Sequence, residues 1–563
     1  MKKQIVLSIL LLSATLNSIY AQDWQWANSA GSIFPYDAGT SICEDQNGNI
    51  YLTGTVQGSL PGDNLHHYAY FNSDTITVNG VNDIFLTKYD SNGNQLWVKS
   101  FGGSYDNWSN QKEEIVSQVI FNSSTNSIYL TGDFIGSCSI GAYTLYATGG
   151  ASDRQIFIAK FDINGNCIWA KSAGSYGDDI SSALTISTTN NIYITGTVKS
   201  NAMFDTITTP NGGFLAKYND NGNCQWVKNI FSGPLNTPIA ILSGAAGVPY
   251  SIKIYNNDFF MVAGKVSDSV YVDTILFTEA NYYPHILSRL DSSGNVKWAK
   301  EIGGPNAYLG NLTMDNNGNC YFSDVFANYS IIDTDTVFAT GTSDFFFTKY
   351  NQNGNFQWVR QSNATLNAIA ISSSSDGNGN VYLTGSFSGS AMFGAFNVTA
   401  NTSEDMFIAR YNTNGDCIGV SHSGQAIGYN VLTDGNGSCV VTGNFSNSMT
   451  LSSTTLVSHG YDDIFVAKID TSINEKKQNT NNQLIIYANP NTGKCNITVP
   501  DEFSNEKNLT LRIFDNTGKL IQQTKLEMNE GKIKLNIEQE TKGFYNAILS
   551  NGKKNYSGKI IFE

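Results

Sequence analysis

Charge is scarce in this chain: Asp, Glu, Lys and Arg make up 14% of its 563 residues. With 41% of residues hydrophobic and 12% aromatic, that scarcity excludes a disordered polymer and leaves enough apolar side chain for a large core. Positive charge is scarcer than negative, and the net charge is −14. From Thr471 to Glu563, 13 Lys and Arg outnumber 10 Asp and Glu, so the acidity lies before residue 471. An acidic body lacks the field that DNA, RNA or an anionic membrane needs, so no nucleic-acid partner is expected. Proline numbers only 10 against 52 glycines, which suits strands joined by tight turns. Histidine is limited to His66, His67, His285, His422 and His459. None forms an H-E-x-x-H pattern, and neither a G-x-S-x-G elbow nor a P-loop occurs. No catalytic residue and no cofactor is therefore assigned, and His422 and His459 read as structural. After the N-terminus no apolar run is long enough for a membrane-spanning helix.

The first residues, Met1-Lys2-Lys3-Gln4, precede an apolar run from Ile5 to Leu16, and Ala21 offers a small residue before Gln22. Residues 1–21 read as a secretory signal peptide, with an uncleaved anchor as the alternative. Eight cysteines follow. Cys167, Cys224 and Cys417 share one repeat position, and Cys320 and Cys439 share another. Equivalent positions in separate repeat units are too far apart to bridge, so these thiols read as small core residues. None has zinc-site spacing, and no metal is assigned.

Self-similarity dominates the chain. NIYLTG ends at Gly54, SIYLTG at Gly132, NIYITG at Gly196, FFMVAG at Gly264, NVYLTG at Gly385 and SCVVTG at Gly443; CYFSDV, around Asp324, lacks the glycine. Each is followed by a run such as DIFLTKYD, with Lys88, Lys160, Lys217, Arg289, Lys349, Arg410 and Lys468 as its basic residue. Their spacings are 72, 57, 72, 60, 61 and 58, which makes seven copies. A third run, such as QLWVKSFGG, follows only six of them; the seventh stands at the other end of the chain, from Trp24 to Ser32. An N-terminal strand that completes the last repeat is what a closed ring needs and an open solenoid does not. Asn-Gly turns between alternating hydrophobics predict hairpins, four strands per unit. Trp26, Trp97, Trp169, Trp226, Trp298 and Trp358 occupy one repeat position, replaced by Gly419 in the sixth unit, and read as packing between blades rather than as a sugar platform. The D-x-N-G-N turns place Gly fourth, which fits hairpins better than calcium loops. Asp83, Asp344, Asp405 and Asp463 open the second run and are expected to satisfy local backbone donors.

These repeats resemble the bacterial β-propeller repeats with the pattern GNIYLTG followed by DIFLTKYDSNGNQLWVKSFGG. The resemblance spans nearly all of Asp23 to Asp470. It implies a fold and export; that group has no single shared activity. The expected architecture is all-β: a seven-bladed β-propeller over residues 22–470, closed by its N-terminal strand, then a linker over 471–482 and a small C-terminal β-sandwich over 483–563 of about seven strands.

The tail resembles the C-terminal sorting domain (type A) of the type IX secretion system of Bacteroidetes-type bacteria. The matching residues are Asn489-Pro490 with Gly493, the IFDNTGKLI run with Gly518 and Lys519, the turn at Gly543 and Tyr545, and the closing KIIFE strand. Ala488 stands where the family usually has proline. The resemblance implies outer-membrane export by the secretion machinery, then release or attachment at the cell surface.

Where the loops depart from the repeat, aromatics stand beside polar residues: His66, His67, Tyr68 and Tyr70 in the first unit, Trp108 after it, and Tyr282 and Tyr283 in the fourth. Such residues suit sugar stacking or protein contact, or simply cover the loop base. Three functions stay open: a non-catalytic binding or adhesion scaffold for an extracellular glycan or protein; a glycan-cleaving enzyme, hydrolase or lyase, for which Asp106 and Glu279 are available carboxylates; and a structural surface component without a soluble ligand.

Overall fold

Each short turn closes on its own first side chain. In Asp90–Asn94, Asp90 Oδ1 accepts the N–H groups of Asn92 (2.9 Å) and Asn94 (2.8 Å), and Gly93 takes φ 84°, a conformation glycine adopts without cost. The same ladder recurs at Asp45, Asp162, Asn219, Asp291, Asp315, Asn351, Asp376 and Asn412. The carboxylates are spent on their own turns, which makes these hairpin turns.

The computed structural model describes residues 23–58, 67–103, 114–150, 152–232, 248–264, 269–278, 285–303, 311–435, 437–470, 484–487, 491–500, 503, 506, 508–515, 519–526, 532–551 and 555–563. The chain is all-β, with no α-helix among these residues, and is built of small antiparallel sheets. It divides into two compact units, residues 1–472 and 473–563. The signal-peptide assignment and the whole linker, residues 471–482, lie outside the described residues.

In the first unit the sheets repeat one plan. Ala38–Glu44, Ile50–Gln57, Asn82–Tyr89 and Gln95–Phe101 lie side by side in chain order. The same order of four strands recurs from Glu114, Ile180, Val248, Asn311 and Asn367. In the last sheet Ala426–Thr433, Ser438–Leu451 and Thr454–Asp470 supply three strands, and the fourth is Asp23–Ser32, paired from Asp23 with Asp470 to Ala30 with Ile464.

A bulge shapes the first strand of a sheet. Gly39 pairs with Gly54 and Ser41 with Thr53, so Thr40 is left over. A Cβ on Gly54 would collide with the Ala38 carbonyl oxygen, which is why the NIYLTG strand ends in glycine. Two units depart from this. Asp324 pairs with Phe346 where Gly54 pairs with Phe85. In the fourth unit the residue opposite the bulge is Ala263, paired with Pro249; Gly264 is one place further on, correcting the alignment read from FFMVAG.

The expectation of four strands per unit also needs correction. Between the second and third strands runs a small hairpin: Tyr68–Phe71 with Asp74–Thr77 in the first unit, Ser390–Phe393 with Phe396–Thr399 in the sixth. These hairpins add to the outer edge of the preceding sheet. Gly31 pairs with Tyr70, Phe231 with Val272 and Ser362 with Phe393, and single bridges join Gly102 to Ser139 and Gly174 to Met203. The fourth strand, otherwise an open edge, is thereby covered.

The core lies between successive sheets. Ile42, Leu52 and Phe85 of the first sheet share one cluster with Val440, Ile464 and Val466 of the last. Equivalent clusters join each sheet to the next in chain order. In the C-terminal unit a three-stranded sheet (Ile485–Tyr487, Lys494–Thr498, Lys532–Asn536) and a four-stranded sheet (Leu520–Leu526, Leu509–Asp515, Gly543–Ser550, Asn555–Phe562) share a core around Ile497, Ile513 and Leu549.

Candidate functional site

Of the aromatics expected to bind a ligand, His67, Tyr68 and Tyr70 are described; His66, Trp108, Tyr282 and Tyr283 lie outside the described residues, as do Asp106 and Glu279. Tyr68 and Tyr70 belong to the inserted hairpin of the first unit, where alternation sends Ala69 and Phe71 into the core and both tyrosines outward. Tyr70 stacks on His459 at 5.4 Å between centroids, and His459 Nδ1 is 2.9 Å from Asp463. The tyrosines therefore stand where the first hairpin meets the last sheet.

The periodic tryptophans are packing residues. Trp97 Nε1 donates to the Ile163 carbonyl (3.3 Å) and Trp169 Nε1 to that of Asp220 (3.1 Å), each in a turn of the following unit. The glycines of those turns, Gly165 and Gly222, lie against the two rings. Trp26, on the N-terminal strand, bonds Ser91 of the first unit in the same way (3.1 Å).

The buried aspartates close turns. Asp83 accepts from the Asn79 (2.9 Å) and Gly80 (3.1 Å) N–H groups, and burial pushes its carboxyl up to about 6. Asp344, Asp405 and Asp463 accept backbone N–H in the same position. His422 Nδ1 is 2.8 Å from Asp405. His285 Nδ1 lies 2.6 Å from the Tyr250 hydroxyl and 2.8 Å from Asp324, with His285 1% and Asp324 0% exposed; this group is sealed between the fourth and fifth sheets and ties them together.

A second place lies where the first strands of successive sheets converge. The first strands of the sheets line a cavity of about 500 Å³. Around it, a polar residue on one first strand accepts a backbone N–H from the next: Val119 to Ser41 (3.1 Å), Leu184 to Gln118 (2.7 Å), Ser373 to Asn311 (2.9 Å), Val431 to Ser372 (3.3 Å) and Ile42 to Asn430 (3.3 Å). The cavity also holds Glu44 and Asp434. Burial pushes the Glu44 carboxyl up against the pull of Lys468, and Lys468 reaches Asp434 at 4.0 Å. The only sign of this belt in the sequence was a polar residue recurring in the short first runs. Among the described residues no group of His, Cys, Asp and Glu has the geometry to hold a metal ion.

In the C-terminal unit, Gly493 (φ 96°) donates its N–H to Asn491 Oδ1 (2.8 Å), Lys519 N–H caps Asp515 (2.9 Å), and the Tyr545 hydroxyl bonds the Thr541 carbonyl ahead of the strand that Gly543 opens. Asn489, Pro490 and Gly518 lie outside the described residues.

Residues 485–563 match the secretion system C-terminal sorting domain family. An uncharacterized WD repeat-containing protein of Acanthamoeba polyphaga mimivirus is 22% identical over 517 residues, covering 75% of this chain; the chain spans 36% of that relative's length. Among solved structures, an ulvan lyase of polysaccharide lyase family PL25 is similar at TM-score 0.37 and 9% identity (78% of this chain, 97% of that one). The endosialidase of phage phi92 is similar at TM-score 0.36 and 10% identity (96% and 88%). Residues 485–563 thus form a type IX sorting tail, which marks the chain for export to the extracellular space or the outer-membrane surface, and the rest of the described chain is a series of repeated antiparallel sheets.

Proposed function

We propose that the body of this exported protein is a seven-bladed propeller, closed by its N-terminal strand, that serves outside the cell as a non-catalytic binding or adhesion scaffold for a glycan or a protein. The ring reading is supported by the strand Asp23–Ser32 completing the last sheet and by the core cluster shared between last and first sheets. On this reading residues 1–21 are a signal peptide, 22–470 the propeller, 471–482 a linker and 483–563 the sorting domain, which engages the secretion machinery.

The observation that carries the binding reading is the pair Tyr68 and Tyr70, 40% and 37% exposed on a strand whose alternate residues are fully buried. Phenol rings fixed outward by a paired strand lose little freedom on binding and offer both an apolar face and a hydroxyl. His66, His67, Trp108, Tyr282 and Tyr283 extend the same ligand-binding set.

The test is to incubate the purified exported chain with a panel of polysaccharides and cell-surface extracts, measuring retention and the release of new reducing ends. Retention without cleavage is expected, and Tyr68→Ala with Tyr70→Ala should weaken it at least tenfold, about 1.4 kcal/mol. New reducing ends would replace this reading with the glycan-cleaving one.

A further inference from the structure

Lys253 lines two cavities of this acidic body and, among the described residues, has no carboxylate partner. It sits on the first strand of the fourth unit, Val248–Tyr255, half-buried. Burial alone pushes its ammonium below the ordinary lysine value, and no charged neighbour moves it. Among the described residues it has no ion pair, whereas Lys88, Lys160, Lys300 and Lys468 each have a carboxylate partner. A half-buried cation without an anion is costly to fold around, so a partner from outside the chain is the natural complement.

The surroundings say what kind. Lys253 pairs with Phe260 across its sheet; at the equivalent places Thr185 pairs with Tyr193 and Thr313 with Tyr321. The three side chains come from successive first strands, the threonines flanking the lysine. Lys253 lines both the cavity of about 500 Å³ and an adjoining one of about 480 Å³, and Thr313 lines both with it. Thr185, Asn256 and Asn257 line the second. The carboxylates of the first cavity, Glu44 and Asp434, belong to the first and last units and have Lys468 beside them. The Lys253 sector thus offers one positive charge among hydroxyl and amide groups, in a volume typical of small-molecule sites.

We propose that Lys253, with Thr185 and Thr313, forms a binding site for the carboxylate of a sugar acid: the ammonium pairs with the carboxylate, and the hydroxyl and amide groups meet the ring hydroxyls. This site is separate from Tyr68 and Tyr70, so it stands or falls independently of the scaffold reading.

Calorimetry on the exported chain tests it, with glucuronate, a galacturonate trimer, glucose, acetate and inorganic sulfate as probes. Glucuronate or the trimer should bind, glucose and acetate at least tenfold more weakly, and Lys253→Met should lose at least tenfold in affinity while melting no lower than the parent. Binding by the trimer alone would mark a polysaccharide source; binding by both would mark a free acid as sufficient. Sulfate binding as tight as glucuronate, affinity unchanged in Lys253→Met, or no binding of either acid would overturn the proposal. A second readout does not depend on a variant: reductive methylation of Lys253, followed by peptide mass spectrometry, should be slowed by whichever acid binds, glucuronate or the galacturonate trimer, and not by glucose. Equal rates would overturn the site as well.

Discussion

At the scale of single residues, the buried aspartates are the most exposed to a quantitative check. Asp83 is fully buried, and burial outweighs its two backbone donors, raising its carboxyl from 3.8 to about 6. Asp179 is raised to about 6 in the same way. A carboxyl that keeps its proton more tightly when folded stabilises the fold fully at low pH and loses that contribution as pH rises from its unfolded toward its folded value. The melting temperature should therefore fall between about pH 4 and about pH 6, and Asp83→Asn should flatten the slope by up to roughly 3 kcal/mol across the window. An unchanged slope in the variant would show that Asp83 is ionised throughout. The role of these aspartates was readable beforehand, because the residue recurs at one place beside a turn. Lys253 was not readable: the short first runs share almost no sequence, and only their pairing with the NIYLTG strands brings Lys253 between two threonines.

Among the elements, the turns and the tryptophan strand form one device. The Trp97 ring lies on Gly165 in a turn of the next unit and bonds the Ile163 carbonyl, so a sheet that carries the tryptophan is pinned to its successor at the Asn-Gly turn. Trp97→Ala should lower the urea midpoint by the equivalent of ~3 kcal/mol, since the ring is partly buried; a midpoint within error of the parent would refute the pinning role. Both halves of the device were legible because repetition amplified them. The inserted hairpins were not. Their strands are three or four residues long, their composition varies from Tyr68-Ala69-Tyr70-Phe71 to Ala202-Met203-Phe204, and their pairing partner is the previous sheet, a relation no local pattern encodes. What they share is a buried residue at one place, Phe71, Phe204, Val272, Ile332 and Phe393, each 0% exposed. That residue lets a short hairpin seal an edge that would otherwise present free backbone donors and acceptors.

For the whole molecule, the decisive feature is the strand Asp23–Ser32, whose place the count of third runs foretold. Deleting residues 23–32 should lower the melting temperature by roughly 10 °C, because the last sheet loses a strand and the first hairpin loses its partner. A deletion that melts with the parent would refute the ring. The consequence reaches into delivery. Asp23 pairs with Asp470, so the earliest part of the body to emerge during synthesis is bound by nearly the latest, and the loop between them must be closed before this contact forms. A chain broken off anywhere before residue 470 leaves a strand edge open to proteases and to other chains. The sorting tail at residues 485–563 comes only after that point. A chain that carries the sorting tail therefore always carries both strands of the Asp23–Asp470 pairing as well, which a fragment ending earlier does not.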